Sequence, residues 1–287
     1  MEHLALGLVQ LLGMLASVSP MFQKVPIMEM DMAPNSFDDQ YKGCSDKMEK
    51  ELKELNRTEF YTNKMYAEAW IKANAKWQSR KSQSSVLKRE QAIALMAYTV
   101  DRPLLYKEFN AAVREAGRSP EEYLLNFHFK VLHFLLTEAL RALWDAQSRR
   151  CHNVYRGVGG IIFTAQRGQS VRFGQFASSS QDKKRAKKFG TDTFFSVKTC
   201  YGVPIRKFSF FNKEKEVLIP PFEIFEVISV THEGNSARIK LRSKDVYSKY
   251  NCEFLKEKQC KNQTCDFSAG QSVSRYPLWG FLLTAKA

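Results

Sequence analysis

The pattern of apolar residues changes character once along this chain, close to Cys151, and no other feature limits the architecture as strongly. From about Cys44 to Arg150 apolar residues recur at three- and four-residue intervals; beyond Cys151 they fall in short β-branched and aromatic runs separated by turn residues. Helices gathered in one half and strands in the other predict an α+β protein with segregated halves rather than alternating βαβ units. No linker marks a boundary near Arg150, so one domain is expected. Ser119 offers an N-cap, Pro120 suits the first helical position and Glu122 completes a capping box. The apolar spacing from Leu124 to Trp144 then predicts one long amphipathic helix, in which His128 and His133, five residues apart, read as packing histidines. Tyr61 to Trp77 and Arg89 to Val100 are expected as further helices. Strands are expected over Val154 to Arg156, Ser170 to Phe176, Thr193 to Thr199, Ile205 to Phe211, Glu214 to Ile219, Phe222 to Thr231 and Ala237 to Leu241.

The two ends and the cysteines speak to the compartment. Leu4 to Ala16 is apolar apart from Gln10, is too short to span a bilayer and leads into Ser17 and Ser19, which reads as a secretory signal peptide over residues 1–20. The apolar stretch Tyr276 to Thr284 is shorter than a lipid-anchor tail and is followed by Lys286, so a product without a membrane anchor is expected. Six cysteines in a secreted chain read as disulfides, with 15 possible connectivities. With no CxxC pair and no histidine at zinc-site spacing, no metal is expected. The sequons at Asn56 and Asn262 place those segments at the surface if they carry glycans.

The balance of 44 basic against 30 acidic residues, +14 overall, raises the question of an anionic partner. Its densest cluster is Lys183, Lys184, Arg185, Lys187 and Lys188 with a single Asp182, which also suits a short surface helix with its lysines in water. No zinc finger, basic zipper or RNP motif accompanies it, so no specific nucleic-acid partner is expected. No GxGxxG or Walker sequence supports a Rossmann or P-loop cradle.

The chemistry-bearing segment is Glu214-Lys215-Glu216, leading into Val217-Leu218-Ile219 and closed by Pro220-Pro221. On a strand, residues i and i+2 share a face, so the two carboxylates point into one space and Lys215 points away. Such a pair can divide the stabilisation of positive charge from proton uptake. Arg156 ends another apolar run, where its guanidinium fork suits a phosphate or a ribose oxygen. Ala177-Ser178-Ser179-Ser180 follows strand residues and reads as a hydroxyl-rich loop.

An arginine, a serine tract after a strand and a Glu-x-Glu entering a hydrophobic strand together resemble the arginine-specific mono-ADP-ribosyltransferases of the vertebrate ecto-enzyme family. The resemblance extends over nearly the whole mature chain, through residues 36–41, 92–99, 106–110, 155–158, 173–178 and 216–223. It implies the ADP-ribosyltransferase fold, a helical region packed on a β-rich two-sheet core, and transfer of one ADP-ribose from NAD, or NADP in its place, to arginine side chains of proteins or to small guanidines. By the same resemblance Arg156, Ser178 and Glu216 are the signature triad, with Glu216 catalytic. Glu214 is the glutamate that goes with arginine specificity, and Tyr98, Gln175 and Ser209 line the NAD pocket. Breaking the nicotinamide–ribose bond builds an oxocarbenium-like centre, the electrostatic problem that glycosidases meet with carboxylates. The resemblance further implies disulfides Cys44–Cys252 and Cys151–Cys200, with Cys260 and Cys265 paired together or free, and a monomer that is extracellular or held in a granule lumen. Two alternatives stay open: a catalytically silent binding protein of the same family, and an enzyme that mainly hydrolyses NAD.

Overall fold

Asn63 divides the first helical stretch in two. Its side chain accepts a hydrogen bond from the Tyr66 backbone N–H, so α1 (Ser45–Thr62) ends and α2 (Lys64–Gln78) begins inside the run expected as one helix from Tyr61 to Trp77. The computed structural model describes residues 25–80, 86–148 and 150–262, so residues 1–20, expected to be a signal peptide, Cys265 and the C-terminal stretch lie outside the described residues, as do the side chains of Cys260 and Asn262. Helices α3 (Arg89–Tyr98) and α4 (Leu105–Ala116) follow.

The long helix expected from Ser119 is instead a pair, α5 (Pro120–Asn126) and α6 (Lys130–Ala146). Ser119 does cap the first, accepting from the Glu122 N–H at 3.1 Å. The break at Phe127–Phe129 exists because Glu59, on α1, accepts the N–H groups of Lys130 at 2.6 Å and Val131 at 3.0 Å and so caps α6 from outside. Phe127 and Phe129 are buried in the helical core. His133 is a packing histidine as expected, wholly buried between the Tyr41 hydroxyl at 2.8 Å and the Phe37 carbonyl at 3.2 Å, and burial pushes its pKa down to about 3. His128 instead stands exposed in the break. Asn56 is half-buried on α1 and accepts a hydrogen bond from the Tyr66 hydroxyl at 3.0 Å.

After Cys151 the chain builds strands β2 (His152–Val158), β3 (Ile162–Thr164), β4 (Ser170–Val171) and β5 (Ala177–Ser180). The short α7 (Lys183–Ala186) precedes β6 (Thr193–Thr199), β7 (Val203–Pro204), β8 (Glu216–Ile219), β9 (Glu223–Glu233) and β10 (Ser236–Val246), and α8 (Glu253–Asn262) closes the described chain. Eight strands form one mixed sheet in the order β4-β9-β10-β6-β2-β5-β8-β7; β1 (Ile27–Glu29) pairs with β3 in a second, two-stranded sheet. The architecture is the expected α+β one, and α7 with the 3-10 turn Lys187–Phe189 is the expected surface helix.

Besides the start of the strand expected from Glu214, taken up below, three assignments change. Ile205–Phe211 is no strand: 3-10 turns at Arg206–Phe208 and Asn212–Glu214 bury Ile205 and Phe208 against the helices, where Phe208 stacks on Trp77. Only Ser170–Val171 of the run to Phe176 is strand, because Arg172 is drawn into a buried ion pair with Asp38 at 2.6 Å. The serine tract is not a loop but β5, a central strand whose hydroxyls are satisfied: Ser179 donates to the Val217 carbonyl at 2.7 Å and Ser180 to the Glu214 carbonyl at 2.5 Å.

Among the described residues, two disulfides join Cys44 to Cys252 and Cys151 to Cys200. Two apolar cores result, one among the helices and one within the sheet, and β8 belongs to both. Leu218 packs into the helical core, Val217 and Ile219 into the sheet core. By strand alternation Glu216 shares the face of Leu218 and is aimed at the helices.

Candidate active site

Glu216 opens β8 directly opposite Ser180 of β5, with Ser178 opposite Leu218 on the same face. It is 6% exposed. Burial raises its pKa from an ordinary 4.5 to about 7; Glu214 pushes the same way, while hydrogen bonds from the hydroxyls of Ser178 and Ser209 and the charge of Arg156 pull it back. Ser209, which leaves the 3-10 turn after Phe208, is buried and fixed by the Phe211 N–H on its hydroxyl at 3.0 Å and by Arg80 on its carbonyl at 3.3 Å.

Arg156 comes from β2 and donates through Nη1 to the Ser178 carbonyl at 2.6 Å. Its guanidinium is half-buried and has no ion-pair partner among the described residues, and desolvation lowers its pKa. Tyr98, the last residue of α3, ties the helical half to this spot. Its hydroxyl donates to the Phe176 carbonyl at 2.9 Å, accepts from Asn110 at 3.1 Å and lies 3.4 Å from the Ser178 hydroxyl, whose one proton goes to Glu216. Burial pushes its pKa up to about 12, so it stays a neutral hydroxyl.

Glu214 does not share a strand face with Glu216. It ends a 3-10 turn, and Lys215 then takes a left-handed conformation (φ 49°, ψ 45°) before β8 begins. The reason is local: Ser180 holds the Glu214 carbonyl and the Gln181 N–H donates to the Lys215 carbonyl at 3.2 Å, so the chain is bent by contacts to β5. Glu214 is half-buried and Lys215 exposed. Gln175 is held by the Arg114 guanidinium of α4 and makes no hydrogen bond to the other site residues.

The structure thus gathers Arg156, Ser178, Glu216, Tyr98 and Ser209 into one contact network with Glu214 at its edge, and leaves Gln175 one step away. It also adds Asn110, Arg114 and Arg80, which the sequence reading assigned no role. Tyr106, Asn110 and Arg114 are spaced by four on α4, and polar or amphipathic side chains recurring on one helix face could have exposed them.

The fit to an anionic dinucleotide rests on two loose ends. Arg156 uses a single donor on the protein, leaving the rest of its fork for phosphate oxygens, and the buried Asn110 Oδ1 has no hydrogen-bond partner beside Tyr98. Among the described residues no three metal-ligating side chains come together, and no helix is long and apolar enough to cross a membrane.

A buried carboxylate steadied by serine hydroxyls, next to an uncommitted guanidinium, suits the breaking of a glycosidic bond in an anionic substrate. The chain belongs to the NAD:arginine ADP-ribosyltransferase family, whose model matches residues 30–249. It is 54% identical to the erythroblast NAD(P)(+)–arginine ADP-ribosyltransferase of Gallus gallus, over 96% of this chain and 95% of that one. It is 52% identical to the GPI-linked NAD(P)(+)–arginine ADP-ribosyltransferase 1 of Mus musculus, over 82% and 76%. Among solved structures, a mutant of the eukaryotic mono-ADP-ribosyltransferase ART2.2 in complex with NADH superposes with a TM-score of 0.68 at 39% identity, covering 78% of this chain and 98% of that one.

Proposed function

We propose that this chain transfers ADP-ribose from NAD to arginine side chains with Arg156, Ser178, Glu216 and Glu214 as its working residues. The observation that carries the reading is Glu216: a carboxylate almost closed off from water at the start of β8, held by two serines near the Arg156 guanidinium, which spends one donor on the protein. Arg156 holds a phosphate of the dinucleotide. Glu216 stabilises the positive charge that builds on the ribose as nicotinamide leaves, an interaction strengthened by the poor solvation around it. Ser178 and Ser209 keep its carboxylate in one orientation, and Tyr98 fixes Ser178.

Glu214 sits on a turn at the rim, where it binds the incoming guanidinium through a charge-assisted fork and accepts its proton on attack. A guanidinium is almost wholly protonated in water, so it needs such a neighbour to become a nucleophile. NADP is included as a cosubstrate, in keeping with relatives named for both dinucleotides. Two disulfides and a GPI-linked relative support an extracellular setting; nothing here favours a granule lumen.

The test is mass spectrometry of the folded protein with NAD and agmatine. An ADP-ribosyl-agmatine adduct that vanishes in Glu216→Gln is expected. Glu214→Gln should abolish the adduct while some NAD hydrolysis remains, and equal loss of both would remove the proposed division of labour. Free ADP-ribose without adduct from the unaltered protein would make it an NAD glycohydrolase, and no turnover at all would favour a silent binding protein.

A further inference from the structure

We infer that the acceptor is an arginine flanked by carboxylates, selected by Arg185 and Lys188 beside Glu214; this rests on the transferase reading above. Helix α7 and the 3-10 turn after it carry Lys183, Lys184, Arg185, Lys187 and Lys188, none of which has a salt-bridge partner among the described residues. The neighbouring acid, Asp182, is used as the helix cap, accepting from the Lys184 and Arg185 N–H groups at 2.9 and 3.3 Å.

This basic segment is locked to the acceptor glutamate by consecutive bonds. The Ser180 hydroxyl donates to the Glu214 carbonyl and accepts from the Asp182 N–H at 3.0 Å, and the next N–H, of Gln181, reaches the Lys215 carbonyl. On its other side the segment lies so close to β2 that a Cβ at Gly157, next to Arg156, would fall 2.3 Å from the Ala186 carbonyl oxygen. Helix, strand and Glu214 turn are therefore held in one arrangement, and the charges of Arg185 and Lys188 are felt at the Glu214 carboxyl.

The electrostatic consequence is specific. Two uncommitted cations beside the carboxylate that must grip a guanidinium weaken its hold on a bare cation. They offset that loss when the acceptor brings its own carboxylates next to the arginine. Lys183 and Lys187 instead line a separate cleft of about 330 Å³ with Phe194, Arg238 and Lys240. They supply a control of equal charge placed away from Glu214.

The experiment compares kcat/KM for three peptides, each with one arginine flanked on both sides by Glu, Gln or Lys, with agmatine as reference acceptor. The ratio within one protein sample is independent of how much of it is active. The Glu-flanked peptide is expected to exceed the Gln-flanked one by about three- to tenfold at low salt, with the ratio falling towards one in high salt. Arg185→Gln/Lys188→Gln should bring it towards one, and Lys183→Gln/Lys187→Gln should keep most of it. A ratio near one in the unaltered protein, with agmatine modified normally, overturns this inference and leaves the transferase reading intact. A ratio that survives Arg185→Gln/Lys188→Gln, or falls as far in the control, overturns the assignment to those two residues. Failure to modify agmatine or any peptide overturns the transferase reading and the inference with it.

Discussion

Replacing Glu216 with glutamine should stabilise the protein in a pH-dependent way while removing its activity. The carboxyl is 6% exposed and faces two serine hydroxyls and one guanidinium, too little to replace the water it has lost. A rise from the ordinary 4.5 to about 7, at about 1.4 kcal/mol per pH unit, amounts to roughly 3 kcal/mol against the ionised form. The folded state keeps a proton that the unfolded chain has already released between those values, so stability falls as pH rises through that window. Glutamine matches the protonated carboxyl in shape and charge, accepting from one serine and donating to the other. Wild type and variant should therefore unfold alike near pH 4, and the variant should be more stable by roughly 3 kcal/mol near pH 8, worth about 6–12 °C in melting temperature. Glu59 is also raised to about 7 by burial, but it is common to both proteins and cancels in the difference. The assay is thermal or urea unfolding of both proteins across that pH range with disulfides intact. A gap that does not change with pH, or a variant less stable near pH 8, would refute the claim that Glu216 is held ionised at a cost to the fold.

Three further outcomes follow from the same geometry. kcat/KM for NAD should rise with pH as Glu216 ionises around pH 7 and level off above it, and a flat profile from about pH 5.5 to 8 would count against its role as a carboxylate. Lys215 already bears the left-handed penalty, and Lys215→Ile adds the crowding of a β-branched side chain there, so KM for agmatine should rise several-fold with NAD hydrolysis nearly unchanged, whereas Lys215→Gly, which removes that strain, should leave KM close to that of the unaltered protein; equal loss of both activities would disconnect that turn from acceptor binding. Arg172→Met strands the buried Asp38 carboxylate without its partner and should cost about 3–5 kcal/mol in urea unfolding.

What the sequence made legible followed from local periodicity. The segregated halves, the Ser119 cap and the bounds of Thr193–Thr199 were all readable because the residues within each segment decide them. The disulfides and the Arg156–Ser178–Glu216 constellation came through resemblance alone, since spacing does not distinguish a catalytic Glu-x-Glu from a solvated strand edge. The Tyr61–Trp77 run was split by a local cap at Asn63, but the larger errors came from contacts supplied from far along the chain. Glu59 caps α6 from 71 residues away and splits the expected helix. Ser180 holds the Glu214 carbonyl from 34 residues away, so the two glutamates do not alternate along a strand. The serine tract read as a loop because its hydroxyls needed acceptors, and these exist only once β8 lies beside it.

That error about the two glutamates matters more than a misplaced boundary. On a common strand face the carboxylates would meet similar surroundings and compete for one proton. The turn at Lys215 separates them instead: Glu216 enters the water-poor junction of helices and sheet, while Glu214 stays half-buried near Arg185 and Lys188. A charge in the first setting is costly until positive charge forms beside it, which favours the transition state over the bound substrate. In the proposed role of Glu214, a carboxylate at the rim can release the proton it takes from the acceptor into water and be ready again. On the roles proposed above, the left-handed residue between them is therefore what lets two identical side chains, two positions apart, do different chemistry.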